Sequence, residues 1–291
     1  MKYNRRFFAL AFFLFHFTSL VVCAQEEDPN AWRKRLNYFY PETVLDSSNV
    51  ECIYDYYVTD TVRNERKRTE FILLHGKQYS KYMDYEAYRL DSVECTRDRT
   101  KLTWGDCDDI RKEYNIITTT SSLIYLLKDH ASGMIQVFDK VFMDKYTYLD
   151  SLARFEWELV DSTREVCGYV CHKATTSFRG RKWTAWYCDL PINDGPWKFS
   201  GLPGLILAIY DTSTCQRFIA NTIRMGKSCI KRIERDDIKT TREKFNKALK
   251  QYKEDPRGLR HAMGIEVKVV NNGGETGTPY RRGFYNPLEL E

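Results

Sequence analysis

Residues 189–211 read DLPINDGPWKFSGLPGLILAIYD, and the hexapeptide at the centre, Gly201-Leu202-Pro203-Gly204-Leu205-Ile206, decides the fold. Pro203 fixes φ at about −65° and Gly204 accepts a positive φ without steric cost, so the pattern predicts a type II turn over residues 202–205. A strand then leaves the turn. Leu205, Leu207 and Ile209 fall on one face and Ile206, Ala208 and Tyr210 on the other, and a strand apolar on both faces belongs inside the protein. Burying Leu202 with Leu205, Ile206, Leu207 and Ile209 contributes on the order of 10 kcal/mol before entropy is subtracted, comparable with the net stability of a domain. The segment reads as a folding element, with no nucleophile, base or metal ligand of its own.

Upstream, Arg179-Gly180 reads as a two-residue loop closing Phe178 against Arg181. That register sets Cys171 opposite Cys188 at a non-hydrogen-bonded site, where Cα atoms lie about 4.5 Å apart, near the lower limit for a disulfide. A Cys171–Cys188 bond is therefore expected, provided the loop has two residues and not three. Ala174, Phe178, Trp183, Ala185 and Tyr187 share the other face as an apolar patch suited to a core.

The hexapeptide, with GPWKF at residues 195–199 and AWY at 185–187, resembles the signature of the GLPGLI family of exported Gram-negative envelope proteins. The likeness runs from about Asn49 to Thr222, and the closing YNPLEL of residues 285–290 is similar to the family's ending. The resemblance implies a class and a compartment and supplies no mechanism.

The N-terminus agrees with export. Lys2, Arg5 and Arg6 precede an apolar run, residues 7–22, and Val22-Cys23-Ala24 reads as a cleavage site. The run, broken by His16, is shorter than the roughly 20 residues a spanning helix needs, so no membrane span is expected after cleavage. Lipidation at Cys23 is disfavoured by bulky Val22. The mature chain, from residue 25, suits one large domain. The net charge of +5 includes the signal's three basic residues, and the near balance that remains gives no electrostatic case for nucleic acid. After Cys23 departs, Cys52, Cys95, Cys107, Cys167, Cys171, Cys188, Cys215 and Cys229 remain, an even set that argues for disulfides in an exported chain. No paired CxxC motifs mark a zinc site.

Residues 25–48 read as an N-terminal linker with a short helix from Ala31 to Phe39. Residues 49–230 read as an antiparallel β domain, because its short strands follow one another without helical crossovers. Residues 86–115 form a charge-rich excursion, with a Cys95–Cys107 bond as a candidate pin. Residues 231–270 carry a helix from Asp236 or Asp237 to Tyr252, and residues 271–291 read as a mobile tail. The expected fold is mainly β, α+β: a strongly curved antiparallel sheet, half-barrel-like, with one or two packed helices.

Chemistry is sparse. His75, His130, His172 and His261 are scattered, and no metalloprotease, nucleophile-elbow or phosphate-loop motif occurs. Cys171 and His172 diverge as strand neighbours, and Asp189 with Asp194 offers no sign of a hydrolase site. No catalytic residue, cofactor or metal is assigned. Trp183, Trp186, Trp197 and Phe199 are the candidate ligand surface. The hairpin, AWY strand and following turn are similar to exported half-barrel proteins of the lipoprotein-carrier type, a likeness of fold alone. The expected function is a non-enzymatic periplasmic protein that binds an apolar ligand or a protein partner on its curved sheet. The alternative is an assembly or scaffold accessory of an outer-membrane complex, whose tail pairs with a partner's sheet edge.

Overall fold

The structure, a computed structural model, describes residues 28, 30–36, 39–61, 63–117, 124–152, 154–256, 258 and 285–290. The expected signal peptide, His261 and residues 271–284 lie outside the described residues. In chain order the elements are β1 (Glu42–Asp60), β2 (Glu65–Gly76), β3 (Tyr79–Asp84), α1 (Tyr85–Glu94), α2 (Trp104–Glu113), β4 (Tyr125–Asp129), β5 (Met134–Val141) and β6 (Asp144–Ser151). They continue with β7 (Glu158–Val166), β8 (Tyr169–Phe178), β9 (Arg181–Cys188), β10 (Ile206–Asp211), β11 (Gln216–Met225), β12 (Cys229–Ile233), β13 (Ile238–Lys239) and α3 (Arg242–Glu254).

The strands form one open, curved sheet in the order β13-β6-β5-β4-β3-β2-β1-β11-β10-β9-β8-β7, with β12 paired to the start of β1. Two meanders, β1–β6 and β7–β11, meet where β1 pairs with β11, and every pairing except β13 with β6 is antiparallel. The expected curved antiparallel sheet with packed helices is what the structure shows. The β8–β9 hairpin turns on Arg179 (φ 49°) and Gly180 (φ 74°), the two left-handed residues that match a tight turn to strand twist. Its register runs from Phe178↔Arg181 to Cys171↔Cys188, as the two-residue loop predicts.

Strand alternation explains the layering in the first meander. Cys52, Tyr54, Leu73, Tyr82, Leu126 and Val137 point to one side, into the main core. Ile53, Ile72, Leu74, Met83, Leu127 and Phe138 point to the other, where Tyr85 and Tyr88 of α1 and Ile230 of β12 cover them. The main core is closed by the chain's own loop 189–205: Ile192, Phe199, Leu202 and Leu205 are buried inside it with Phe245 of α3, and the partly buried Leu288 of the tail packs against them. The concave face is filled from within.

The hexapeptide strand is as buried as expected, with Leu205 to Ile209 all at 0% exposure. The turn before it differs. Gly201 takes the positive φ, 93°, and Gly204 does not; Gly204 is instead pressed against β9, where a Cβ would fall on the Cys188 carbonyl oxygen.

Other expectations are corrected. β1 begins at Glu42, inside the expected linker, and the N-terminal helix shrinks to a 3-10 turn at Ala31–Lys34. The excursion after β3 is helical: Asp84 caps α1 and a Thr103–Asp106 capping box starts α2. Thr241, not Asp236 or Asp237, caps α3, since Asp237 is held by Arg235 at 2.7 Å. No disulfide joins the described cysteines. Cys95, at the end of α1, faces Lys231 Nζ at 3.0 Å, while Cys107 is buried on α2 beside Glu94, so the two do not pin the excursion. Cys171 and Cys188 face each other as buried thiols.

The end of the expected mobile tail is docked. Arg181 donates to the Asn286 side chain and, at 2.6 Å, to the Pro287 carbonyl, and the Leu290 amide donates to Arg179 O at 3.0 Å. Glu289 reaches inward to Lys198 Nζ at 2.5 Å, and Lys198 also meets Asp150 at 2.8 Å.

Candidate functional site

Three neighbouring strands and the hexapeptide loop build one polar cluster. The β2–β3 hairpin sets His75 opposite Ser80, and the β3–β4 pairing sets Ser80 opposite Lys128, so these three side chains lie in one row across the sheet. His130 follows two residues after Lys128, just past β4, and Asp194 is brought over them by the loop.

Asp194 is 1% exposed and its two oxygens have separate duties. Oδ1 accepts from Lys128 Nζ at 2.6 Å and from the Gly195 amide at 2.8 Å. Lys128, equally buried, donates further to the carbonyls of Gly195 and Phe199, so its three protons are all placed and the loop is fastened to the sheet. Oδ2 faces His75 Nδ1 at 3.1 Å and His130 Nε2 at 3.9 Å. Burial opposes the charge on Asp194, but the Lys128 ammonium and the bond to His75 outweigh it and hold the carboxyl below the usual range. Burial pushes the His130 imidazole down, and Asp194 opposes that shift only in part.

The Ser80 hydroxyl, completely buried, lies 3.0 Å from His75 Nδ1 and 2.9 Å from His130 Nε2. The imidazole rings stack with centroids 5.2 Å apart. A Ser-His-Asp relay requires the serine and the carboxylate on different ring nitrogens. Here His75 meets both through Nδ1, and Ser80 has no access to solvent. The cluster is not built as a nucleophilic triad.

Above it opens a cleft of about 510 Å³, lined by His75, His130, Asp194, Arg154, Asn193 and Gly201 among others. The loop rim is fixed: the Trp157 indole donates to Ser200 O at 2.9 Å and the Asn193 side chain accepts from the Gly201 amide.

The expected ligand surface lies elsewhere, and the structure corrects it. Trp183 and Phe199, 1% and 0% exposed, meet edge to face in the core at 4.7 Å, Trp186 is also buried, and Trp197 is partly buried against Phe199. These rings are spent on packing. His172 is half-exposed beside Asp189, at 3.3 Å, away from the cleft. Sequence reasoning set His75 and His130 aside as scattered, found no sign of a hydrolase site in Asp194 paired with Asp189, and assigned no chemistry to the segment that holds Asp194. The signal that could have found part of the cluster was the Gly76-Lys77-Gln78 reversal, which puts His75 opposite Ser80 once β2 and β3 are paired.

Residues 178–208 match the model of a family described as a protein of unknown function, Porph_ging. The match runs from the last residue of β8 through β9 and the loop to the start of β10, and so includes the hexapeptide, consistent with a GLPGLI-type family. No curated protein matches. Among solved structures the chain is similar to PNGF-II, in two crystal forms, at 12% identity and a TM-score of 0.46, over 72% of this chain and 34% of that one. This chain thus spans about a third of that protein's length. It is also similar to an outer membrane lipoprotein-sorting protein domain from Vibrio parahaemolyticus, at 6% identity and a TM-score of 0.25, over 61% of this chain and 85% of that one. Among the described residues, no helix is long and apolar enough to cross a membrane.

Proposed function

We propose that this chain is a non-enzymatic, exported envelope protein that binds a small polar ligand in the cleft over Asp194. An apolar ligand on the concave sheet face is not favoured, since loop 189–205, α3 and Leu288 already occupy that face. The observation that carries the reading is Asp194 Oδ2, grouped with two imidazoles at the floor of an open cleft. A buried carboxylate held ionised by its neighbours and aimed at a solvent-reachable space is the kind of group that fixes a ligand's orientation. Nothing in the cluster has the geometry of an activated nucleophile, which supports binding over turnover.

The test is native mass spectrometry of the protein recovered from an exporting host, compared with His130→Phe, which exchanges a polar wall for an apolar ring. A small-molecule adduct on the wild type that is lost in the variant supports the reading. A bare wild-type protein, or an adduct retained in full by the variant, overturns it.

A further inference from the structure

We propose that the cleft is a divalent transition-metal site, with His75 Nδ1, His130 Nε2 and Asp194 Oδ2 as its protein ligands. The inference rests on the cleft being the ligand site and names what it holds first. The three donor atoms lie within 4.8 Å of one another. An ion about 2.0–2.2 Å from each donor needs them roughly 3.3 Å apart in a tetrahedral arrangement. The carboxylate oxygen stands 3.1 Å from one imidazole nitrogen and 3.9 Å from the other, and the two nitrogens lie within 4.8 Å, so side-chain shifts of at most about 1.5 Å complete the geometry.

The outer contacts fit as well. Metal-bound carboxylates and imidazoles are oriented by partners on their remaining atoms. Asp194 Oδ1 is held by Lys128 and the Gly195 amide, which leaves Oδ2 facing the imidazoles. His130 makes a backbone hydrogen bond at Lys77. Ser80 Oγ lies against the two donor nitrogens themselves and must turn its hydrogen away from them when an ion binds. Two imidazoles with one carboxylate favour zinc and its first-row neighbours over calcium or magnesium, which prefer oxygen donors. Three protein donors leave a position open toward the cleft, where an anionic or carbonyl group of the polar ligand would bind. Lys128 places a positive charge on the far oxygen and limits the affinity, which is why micromolar binding is expected and not the far tighter binding of a structural zinc site.

The chelator-treated full-length protein is titrated with Zn(II) by calorimetry, and with Co(II) as a spectroscopic reporter of imidazole ligation. One equivalent should bind, with Mg(II) and Ca(II) silent. His75→Gln and His130→Gln should each weaken Zn(II) by about 100-fold or more, beyond the 10–100-fold cost of losing an outer partner. Their circular dichroism and chelator-state melting should match the wild type, because both rings are partly exposed. Cys95→Ser is the control, since Cys95 lies in a second cluster with Glu42 and Asp91. Absence of stoichiometric binding to the wild type overturns the proposal, as does binding that survives both histidine changes and disappears in Cys95→Ser. An organic adduct that persists after chelation overturns the metal and leaves the cleft reading intact; a protein that binds neither overturns both.

Discussion

A side chain at residue 204 has nowhere to go: its Cβ would coincide with the Cys188 carbonyl oxygen, and the Leu190 carbonyl oxygen stands at 3.2 Å. Both are backbone atoms, one at the end of β9 and the other in the loop that leaves it, so relief requires moving β9 and the loop together. Gly204→Ala is therefore expected to cost about 2–3 kcal/mol or more, the range of overpacking in a tight core. Gly133→Ala, at φ 66° with nothing within 4 Å of a Cβ, should cost only about 1 kcal/mol. Urea midpoints compare the two, and an equal loss would refute the close-approach account. The need for glycine at 204 was legible in the sequence, but its cause was not, because the clash partner sits sixteen residues away on another element. A second residue carries a pH signature. Burial pushes the Asp139 carboxyl up to about 7, with Lys253, Lys140 and Lys198 opposing the rise. The unfolded value is about 3.9, so its penalty is absent below that pH, grows as pH rises and is complete above about 7. Asp139→Asn should flatten stability across that window and raise it at slightly alkaline pH by about 1–2 kcal/mol, allowing for the residue's partial exposure. A variant whose melting temperature tracks the wild type from acid to alkaline pH would rule this out.

The elements that were legible are those fixed by local chemistry. Arg179-Gly180 sets a two-residue turn, the turn sets parity, and parity sets every pair down to Cys171↔Cys188. The tail was misread for the opposite reason. The expectation rested on the composition of Asn271-Asn272-Gly273-Gly274, while the partners of residues 286–290 lie far off in the sequence: Arg181 on β9, and Lys198 in the hexapeptide loop between Asp150 and Glu289. Lys198 is 2% exposed and depends on both carboxylates. Glu289 also meets Arg242 of α3 at 3.2 Å, so one residue ties tail, loop and helix. Truncation after residue 284 should cost about 3–5 kcal/mol, as breaking a buried charge pair does, whereas Glu289→Gln, which leaves Asp150 on Lys198, should cost about 1–3 kcal/mol. Equal melting of the truncated and full-length chains would show that the clasp contributes nothing. His75, His130 and Asp194 belong with the tail: each is ordinary in its own stretch, and only the stacking of β2, β3 and β4 under the loop brings them together.

At the scale of the molecule, the sheet is two meanders that share β1 and β11, with consecutive strands β6 and β7 on opposite sides of it. Whether such a chain unfolds in one step depends on what crosses the seam. Tyr54 of the first meander donates its hydroxyl to the Ile206 carbonyl of the second at 2.8 Å, and Lys128 of the first is buried against Asp194 and the loop of the second. The core that loop 189–205 fills draws on both halves. Neither meander keeps its interior if the other leaves, so a single cooperative transition is expected. The tryptophans make this testable, because Trp183, Trp186 and Trp197 lie in the second meander or its loop and Trp157 immediately precedes β7, whereas Trp32 and Trp104 lie outside it and are exposed, so that unfolding changes their surroundings little. Fluorescence therefore reports the second half and far-ultraviolet circular dichroism reports both. Their urea transitions should coincide, and Tyr54→Phe should shift both midpoints together by about 1 kcal/mol in stability. Refolding should be slow, on the order of milliseconds to seconds or longer, because β1 waits for β11 across most of the chain. Separate midpoints, or a Tyr54→Phe shift confined to one probe, would mean that the two meanders are independent folding units joined only at their seam.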